Sequence, residues 1–162
     1  HPHHPKHSFP TRRSSDLPQV GDTYILGNAS FTVVCPDRYD YEEENNRSLG
    51  IRLTDSSHSF LILGDAQSKS ESAMLNENLD LSADVYMVSH HGSASSSTEK
   101  FLRAVHPAFA VISVGADNDY GHPAQKTLSR LEAQDIQILR TDLSGTITAY
   151  STPDTLTWST ER

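Results

Sequence analysis

Four apolar runs, each closing on a polar or turn residue, constrain this chain more than anything else in it. They are "FLILGDA" (60–66), "ADVYMVS" (83–89), "FAVISVG" (109–115) and "IQILRT" (136–141). Runs this short and this apolar read as buried strands. The stretches between them carry helical signals instead. "SKSESAMLNENL" suits a helix with Ser68 or Ser70 near its cap, and "SSTEKFLRAVHP" one capped by Ser97 or Thr98, with Phe101, Leu102 and Val105 on its apolar face. "PAQKTLSRLEAQ" suits a third, with Pro123 in its first turn and Leu128 and Leu131 facing the core. Upstream, "GDTYILG", "ASFTVVCP" and "SLGIRLT" read as further strands, with "DRYDYEEENNR" a polar, acidic loop. "DLSG" reads as a turn and "TITAYS" and "TLTWST" as a closing pair. Strands alternating with helices, flanked by hairpin-like strands, predict an α/β (mixed α+β) domain with at least one largely buried sheet.

Polar groups gather where the runs end. Asp65 follows "FLILG", His90 and His91 follow "YMVS", and Asn118 to His122 follow "VISVG". In layered α/β folds ligands bind at the carboxyl ends of strands, so three such arrivals weigh more than any one of them. Singly, each has an ordinary explanation. Asp65 is a turn former after a strand. One of the paired histidines is buried and hydrogen-bonded, the other solvated. His122 is a loop histidine resting on Tyr120. Adjacent residues on a strand point to opposite faces, so both histidines reach one site only if the strand breaks, and Gly92 supplies a break. The helix that follows offers free backbone N–H groups to an anion. His58 and His106 read as surface residues, and the serines from Ser93 to Ser97 as a flexible lip without a nucleophile elbow.

The net charge of −8 gives no basic footprint for gripping phosphate. A phosphate-bearing substrate would need its positive charge from elsewhere, and a metal is the obvious source. The single cysteine, Cys35, excludes an internal disulfide and a thiolate cluster, so metal ligands must be His and Asp. No apolar run spans a membrane and no signal peptide is visible.

The first seventeen residues stand apart. "HSFPTRRSSDL" (7–17) resembles, over all eleven positions, the translation of a common short-read sequencing adapter. Residues 1–17 are therefore expected to be a non-native, disordered leader, and 18–162 a partial domain.

"NNRSLGIRL", "FLILGDA", "ADVYMVSHHGSASSSTEKFL", "PAFAVISVGADNDYGHPAQKTLSRL" and "LRTDLSGTIT", in that order, resemble the metallo-β-lactamase-fold hydrolases of the ComEC-type competence proteins. The resemblance implies that residues 18–162 are the second half of a four-layer αβ/βα sandwich. It implies two divalent ions, zinc or manganese, with Asp65 bridging and His91 as ligand. His90 then faces the scissile group, with the reverse assignment of the two histidines left open. It implies His122 as a second catalytic group, and Ser93, Asn118 and Tyr120 on the substrate side. The implied reaction is phosphodiester hydrolysis, a nuclease activity linked to DNA uptake, on single-stranded DNA. The implied setting is extracytoplasmic, beside a membrane channel domain or as a secreted relative; no protein partner is identifiable. The family's His-x-His-x-Asp-His motif is absent from residues 18–162, so this chain is expected to be an inactive fragment with an incomplete site. The alternative is a catalytically dead binding module on the same fold. A thioester, lactam or lactone substrate is the third possibility.

Overall fold

The computed structural model describes residues 17–55 and 57–162, so nearly all of the proposed leader, residues 1–16, lies outside the described residues. Seven strands form one sheet in sequential order: β1 (Thr23–Leu26), β2 (Ala29–Cys35), β3 (Gly50–Asp55), β4 (His58–Ile62), β5 (Val85–Met87), β6 (Phe109–Ile112) and β7 (Gln137–Arg140). From β1 to β4 the pairing is antiparallel; from β4 to β7 it is parallel. The change follows the connections. The first four strands follow one another without a helical crossover, β1 and β2 through Gly27–Asn28 and β2 and β3 through the loop 36–49 with its 3-10 turn (Glu44–Arg47), whereas α1 (Ser68–Asn76), α2 (Glu99–Val105) and α3 (Gln125–Glu132) fill the later crossovers. A parallel connection needs such a crossover. The mixed α/β class expected from the strand–helix alternation is what forms.

All three helices lie on one face of the sheet. Leu61, Tyr86, Ala110 and Ile112 from the strands share a buried cluster with Met74 of α1, Phe101, Leu102 and Val105 of α2, and Leu131 of α3. The register puts Leu61, Tyr86, Ala110 and Ile138 in one row across that face. The alternate residues, Ile51, Ile62, Met87, Val111 and Leu139, form an apolar row on the other face. A small hairpin, β8 (Ile147–Ser151) and β9 (Leu156–Thr160), covers part of that second face, with Trp158 tilted against Phe109 at 5.1 Å between ring centroids. Met87 remains 36% exposed and Ile51 and Ile62 half-buried, so the covering is incomplete.

Three local expectations are corrected. The fifth strand ends at Met87, short of the run's end at Ser89, because Ser89–Gly92 coils into a tight turn. Pro123 stands two residues ahead of α3, whose N-cap is Ala124. The "DLSG" turn lies in a one-turn helix, α4 (Thr141–Ser144). The caps also differ from expectation. Neither Gln67 nor Thr98, at the starts of α1 and α2, makes a side-chain cap bond. Remote side chains do this instead. Asn46 Oδ1 accepts the Gln67 and Ser70 N–H groups, and the Glu71 carboxylate accepts those of Ser97 and Thr98.

Candidate functional site

The parallel strands β4, β5 and β6 all run toward one edge of the sheet, and Asp65, the histidine pair and the Asn118–His122 loop follow their ends there. The Gly64–Asp65 turn is pinned on both sides: Asp65 N–H donates to Ser48 Oγ at 3.2 Å, and His90 N–H donates to the Gly64 carbonyl at 3.0 Å. That second bond joins the end of β4 to the end of β5.

His90 and His91 both have left-handed backbone, with φ of 53° each. Side chains with a Cβ avoid this region, and residues held in it cluster at functional sites. The two left-handed residues take the pair out of strand geometry. His91 Nδ1 lies 2.7 Å from the Ser113 carbonyl oxygen. A carbonyl can only accept, so Nδ1 carries the proton and Nε2 of the neutral ring keeps its lone pair. That Nε2 stands 3.7 Å from Asp65 Oδ1. His90 has the opposite surroundings. Its Nδ1 lies 3.4 Å from the Gln67 amide nitrogen and 3.5 Å from Ser95 Oγ. With the Gln67 amide turned so that its nitrogen, which can only donate, faces the ring, Nδ1 accepts and the neutral ring carries its proton on Nε2. Two adjacent histidines are thus held in opposite tautomers.

The third loop closes against this pair. His122 meets His90 edge-on at 5.8 Å and stacks on Tyr120 at 5.9 Å between centroids. Burial, and then the neighbouring His90 and His91, hold the His122 imidazole below the usual histidine range. Its Nδ1 is buried with no hydrogen-bond partner. The ordinary reading of His122, a ring packed on Tyr120, is present, and contact with His90 is added to it.

The proposed substrate residues divide. Tyr120 is 83% exposed and open to a ligand. Asn118 is occupied inside its own loop: its amide donates to the Gly115 and His122 carbonyls at 2.9 and 2.7 Å, and its oxygen accepts the His122 N–H at 2.9 Å. It holds His122 in place. Ser93 is nearly buried, its Oγ shared with Ser95 at 3.0 Å. Just ahead of α2, the N–H groups of Ser97 and Thr98 are taken by Glu71. Gln67, Asn46 and Glu71 escaped the sequence reading, because nothing in a polar helix start or an acidic loop distinguishes a buried polar side chain from a solvated one.

The donor set can be tested for a metal. A carboxylate oxygen and an imidazole lone pair 3.7 Å apart are closer than two metal–ligand bonds laid end to end, about 4.2 Å for zinc, so one ion can touch both. Among the described residues no group of three or more His, Cys, Asp or Glu gathers where it could hold an ion. The pair therefore fits as part of a site and supplies two donors of the four a tetrahedral ion takes.

No family model matches the sequence. Curated relatives do. The chain is 37% identical over 127 residues to ComE operon protein 3 of Bacillus subtilis, covering 78% of this chain and 16% of that protein. It is 35% identical over 118 residues to competence protein ComA of Neisseria gonorrhoeae, covering 72% and 17%. It is 31% identical over 117 residues to recombination protein 2 of Haemophilus influenzae, covering 72% and 15%. The chain is thus a homologue of proteins named for competence and recombination, and spans about a sixth of the length of those it matches. Among the described residues no helix is long and apolar enough to cross a membrane.

Proposed function

We propose that this chain is part of a metal-dependent phosphodiester hydrolase of the ComEC type, acting on DNA during uptake in competent cells. The observation that carries the reading is the histidine pair: opposite tautomers at one strand end, with Asp65 facing the ring whose lone pair is free. Homology to competence proteins supports the substrate class.

On this reading Asp65 and His91 hold a divalent ion, zinc or manganese, and His90 does not. When bound, such an ion would lower the pKa of water and offset charge on a phosphoryl group, the positive charge an acidic chain otherwise lacks. His90, with its proton on Nε2, is placed to donate to a phosphoryl or leaving oxygen. His122, its pKa depressed by burial and by the neighbouring His90 and His91, stands edge-on beside it. Tyr120 presents an exposed ring on which a base can stack. The remaining ligands, and the strands that complete the sandwich over the second face of the sheet, come from a longer protein in an extracytoplasmic setting.

The test compares the 162-residue chain with the complete protein. The complete protein should cleave a single-stranded oligonucleotide with manganese or zinc and lose that activity in Asp65→Ala and His91→Ala. The 162-residue chain should be inactive. Metal-independent cleavage, or full activity in His91→Ala, sinks the proposal. A second reading, a metal-free binding module, is favoured by the lack of a third ligand among the described residues. It predicts oligonucleotide binding by the complete protein that chelators leave unchanged and no turnover.

A further inference from the structure

The sharp turn carrying His90 and His91 requires outside support, and the source of that support is a buried carboxylate and a half-buried guanidinium. Glu71 of α1 is fully buried, and its carboxylate accepts the N–H groups of Ser97 and Thr98. Arg130 of α3 reaches the same segment from the carbonyl side, its Nη1 donating to Ser96 O at 2.9 Å, Ser97 O at 3.3 Å and Ala94 O at 3.4 Å. Peptides 96–98 therefore lie between an anion on their N–H side and a cation on their C=O side. Charge-assisted bonds of this kind are about twice as strong as neutral ones. Ser97 itself is held at a φ of 54°.

From there the hold passes back to the histidines. Ser96 Oγ donates to the Ser89 carbonyl at 2.9 Å. The buried Tyr86 hydroxyl bonds Ser89 Oγ at 2.9 Å and Ser97 Oγ at 3.0 Å, and accepts the Ser89 N–H at 3.2 Å. Thr127 Oγ1 donates to the Ser93 carbonyl at 2.8 Å. Ser89, the residue before the pair, is thus fastened to the segment the two charges grip. An unfavourable backbone conformation persists only where its surroundings over-determine it.

We propose that Glu71 and Arg130 are positioning residues for His90 and His91: gripped between them, peptides 96–98 hold the left-handed turn in the form that fixes the two tautomers. Burial works against the charged form of Glu71 and raises its pKa, and the bonds from Thr98 and Ser97, with the charge of Arg130, act the other way. The carboxylate's place in the interior is thus explained by what it holds.

The proposal rests on the reading of His90 and His91 as working side chains, but its test needs no turnover. Long-range ¹H–¹⁵N spectra of the imidazoles in the 162-residue chain report each tautomer on the neutral rings. The unmodified chain should show His91 protonated at Nδ1 and His90 at Nε2. Glu71→Gln places an amide NH2 against a backbone N–H; both rings should then drift to the mixture shown by an unstructured peptide. Arg130→Met, which keeps the aliphatic stem, should give a smaller drift and serves if Glu71→Gln does not fold. Ile136→Val, a core change at the opposite edge of the sheet, should leave both tautomers intact. Unchanged tautomers in the foldable variants, or an equal drift in Ile136→Val, overturn the clamp. A negative hydrolysis assay with intact tautomer behaviour removes the hydrolase reading and leaves the clamp.

Discussion

Gly92→Ala couples the fold to the site. Gly92 has a φ of +83°, which L side chains rarely adopt, and a Cβ there would stand 2.7 Å from Pro123 Cβ and 3.1 Å from Pro123 Cα. The backbone term is about 1–2 kcal/mol, taken from the left-handed penalty for residues with a Cβ. Pro123 cannot rotate away, so the contact adds an overpacking term of about 1–3 kcal/mol. Together they give about 2–5 kcal/mol, a large part of the roughly 5–15 kcal/mol that holds a domain folded. For a chain of this size that is a fall in Tm of about 4–20 °C. The strain also has a direction. Ala124 N–H donates to the Gly92 carbonyl at 2.9 Å, so the added methyl pushes apart the two segments that bring His122 to His90. Urea denaturation of the 162-residue chain measures the cost, with Gly115→Ala as the control. Gly115 has no positive φ and nothing within 4 Å of a built Cβ, so its substitution should move stability by less than about 0.5 kcal/mol. If the two variants unfold at the same urea concentration, the packing argument for Gly92 is refuted.

Three further outcomes follow from burial and charge. Phe101 is fully buried against Tyr86, so Phe101→Ala should cost about 3–5 kcal/mol in the same denaturation series, whereas Tyr150→Ala, at an exposed position, should cost little. The Cys35 thiol is buried and pushed up to about 11, chiefly by desolvation, so a thiol-directed disulfide reagent at neutral pH should leave it unmodified until denaturant is added. His122 has a folded pKa below its unfolded value of 6.5, so below that value the unfolded chain binds the extra proton. Stability should therefore fall as pH drops through 6.5 toward the folded pKa, and His122→Gln should flatten that slope between pH 7 and 5; an unchanged slope would refute the assignment.

How much of this was legible in the sequence depends on the range of the interaction. Strand runs such as "FLILGDA" and helix faces such as Phe101, Leu102 and Val105 are local patterns, and the elements form there, although β4 starts at His58 and ends at Ile62. The convergence of Asp65, His90 and His122 was legible for a related reason: each follows a strand, and parallel strands end at one edge. Glu71 was not legible. In "SKSESAML" it reads as one more polar helix residue, and its role depends on Ser97 and Thr98, 26 and 27 residues away. Asn118 marks the same limit from the other side. Its residue type suits ligand contact, but the loop uses its whole amide internally, which only the folded distances decide.

The histidine pair shows why the tertiary detail matters chemically. Read as strand residues, two neighbours must diverge, and the choice of ligand between them stays open. The left-handed turn removes that rule and gives each ring its own second partner: Ser113 O for His91, the Gln67 amide for His90. Those partners differ in kind, one able only to accept and the other only to donate. They leave a lone pair on one Nε2 and a proton on the other. A carboxylate faces the lone pair of His91 and a third imidazole meets the His90 ring edge-on. On the proposed function, the division of labour between His91 and His90 is set by groups one step away from the chemistry. Replacing Gln67 with leucine should blur the role of His90 while leaving His91 as it is.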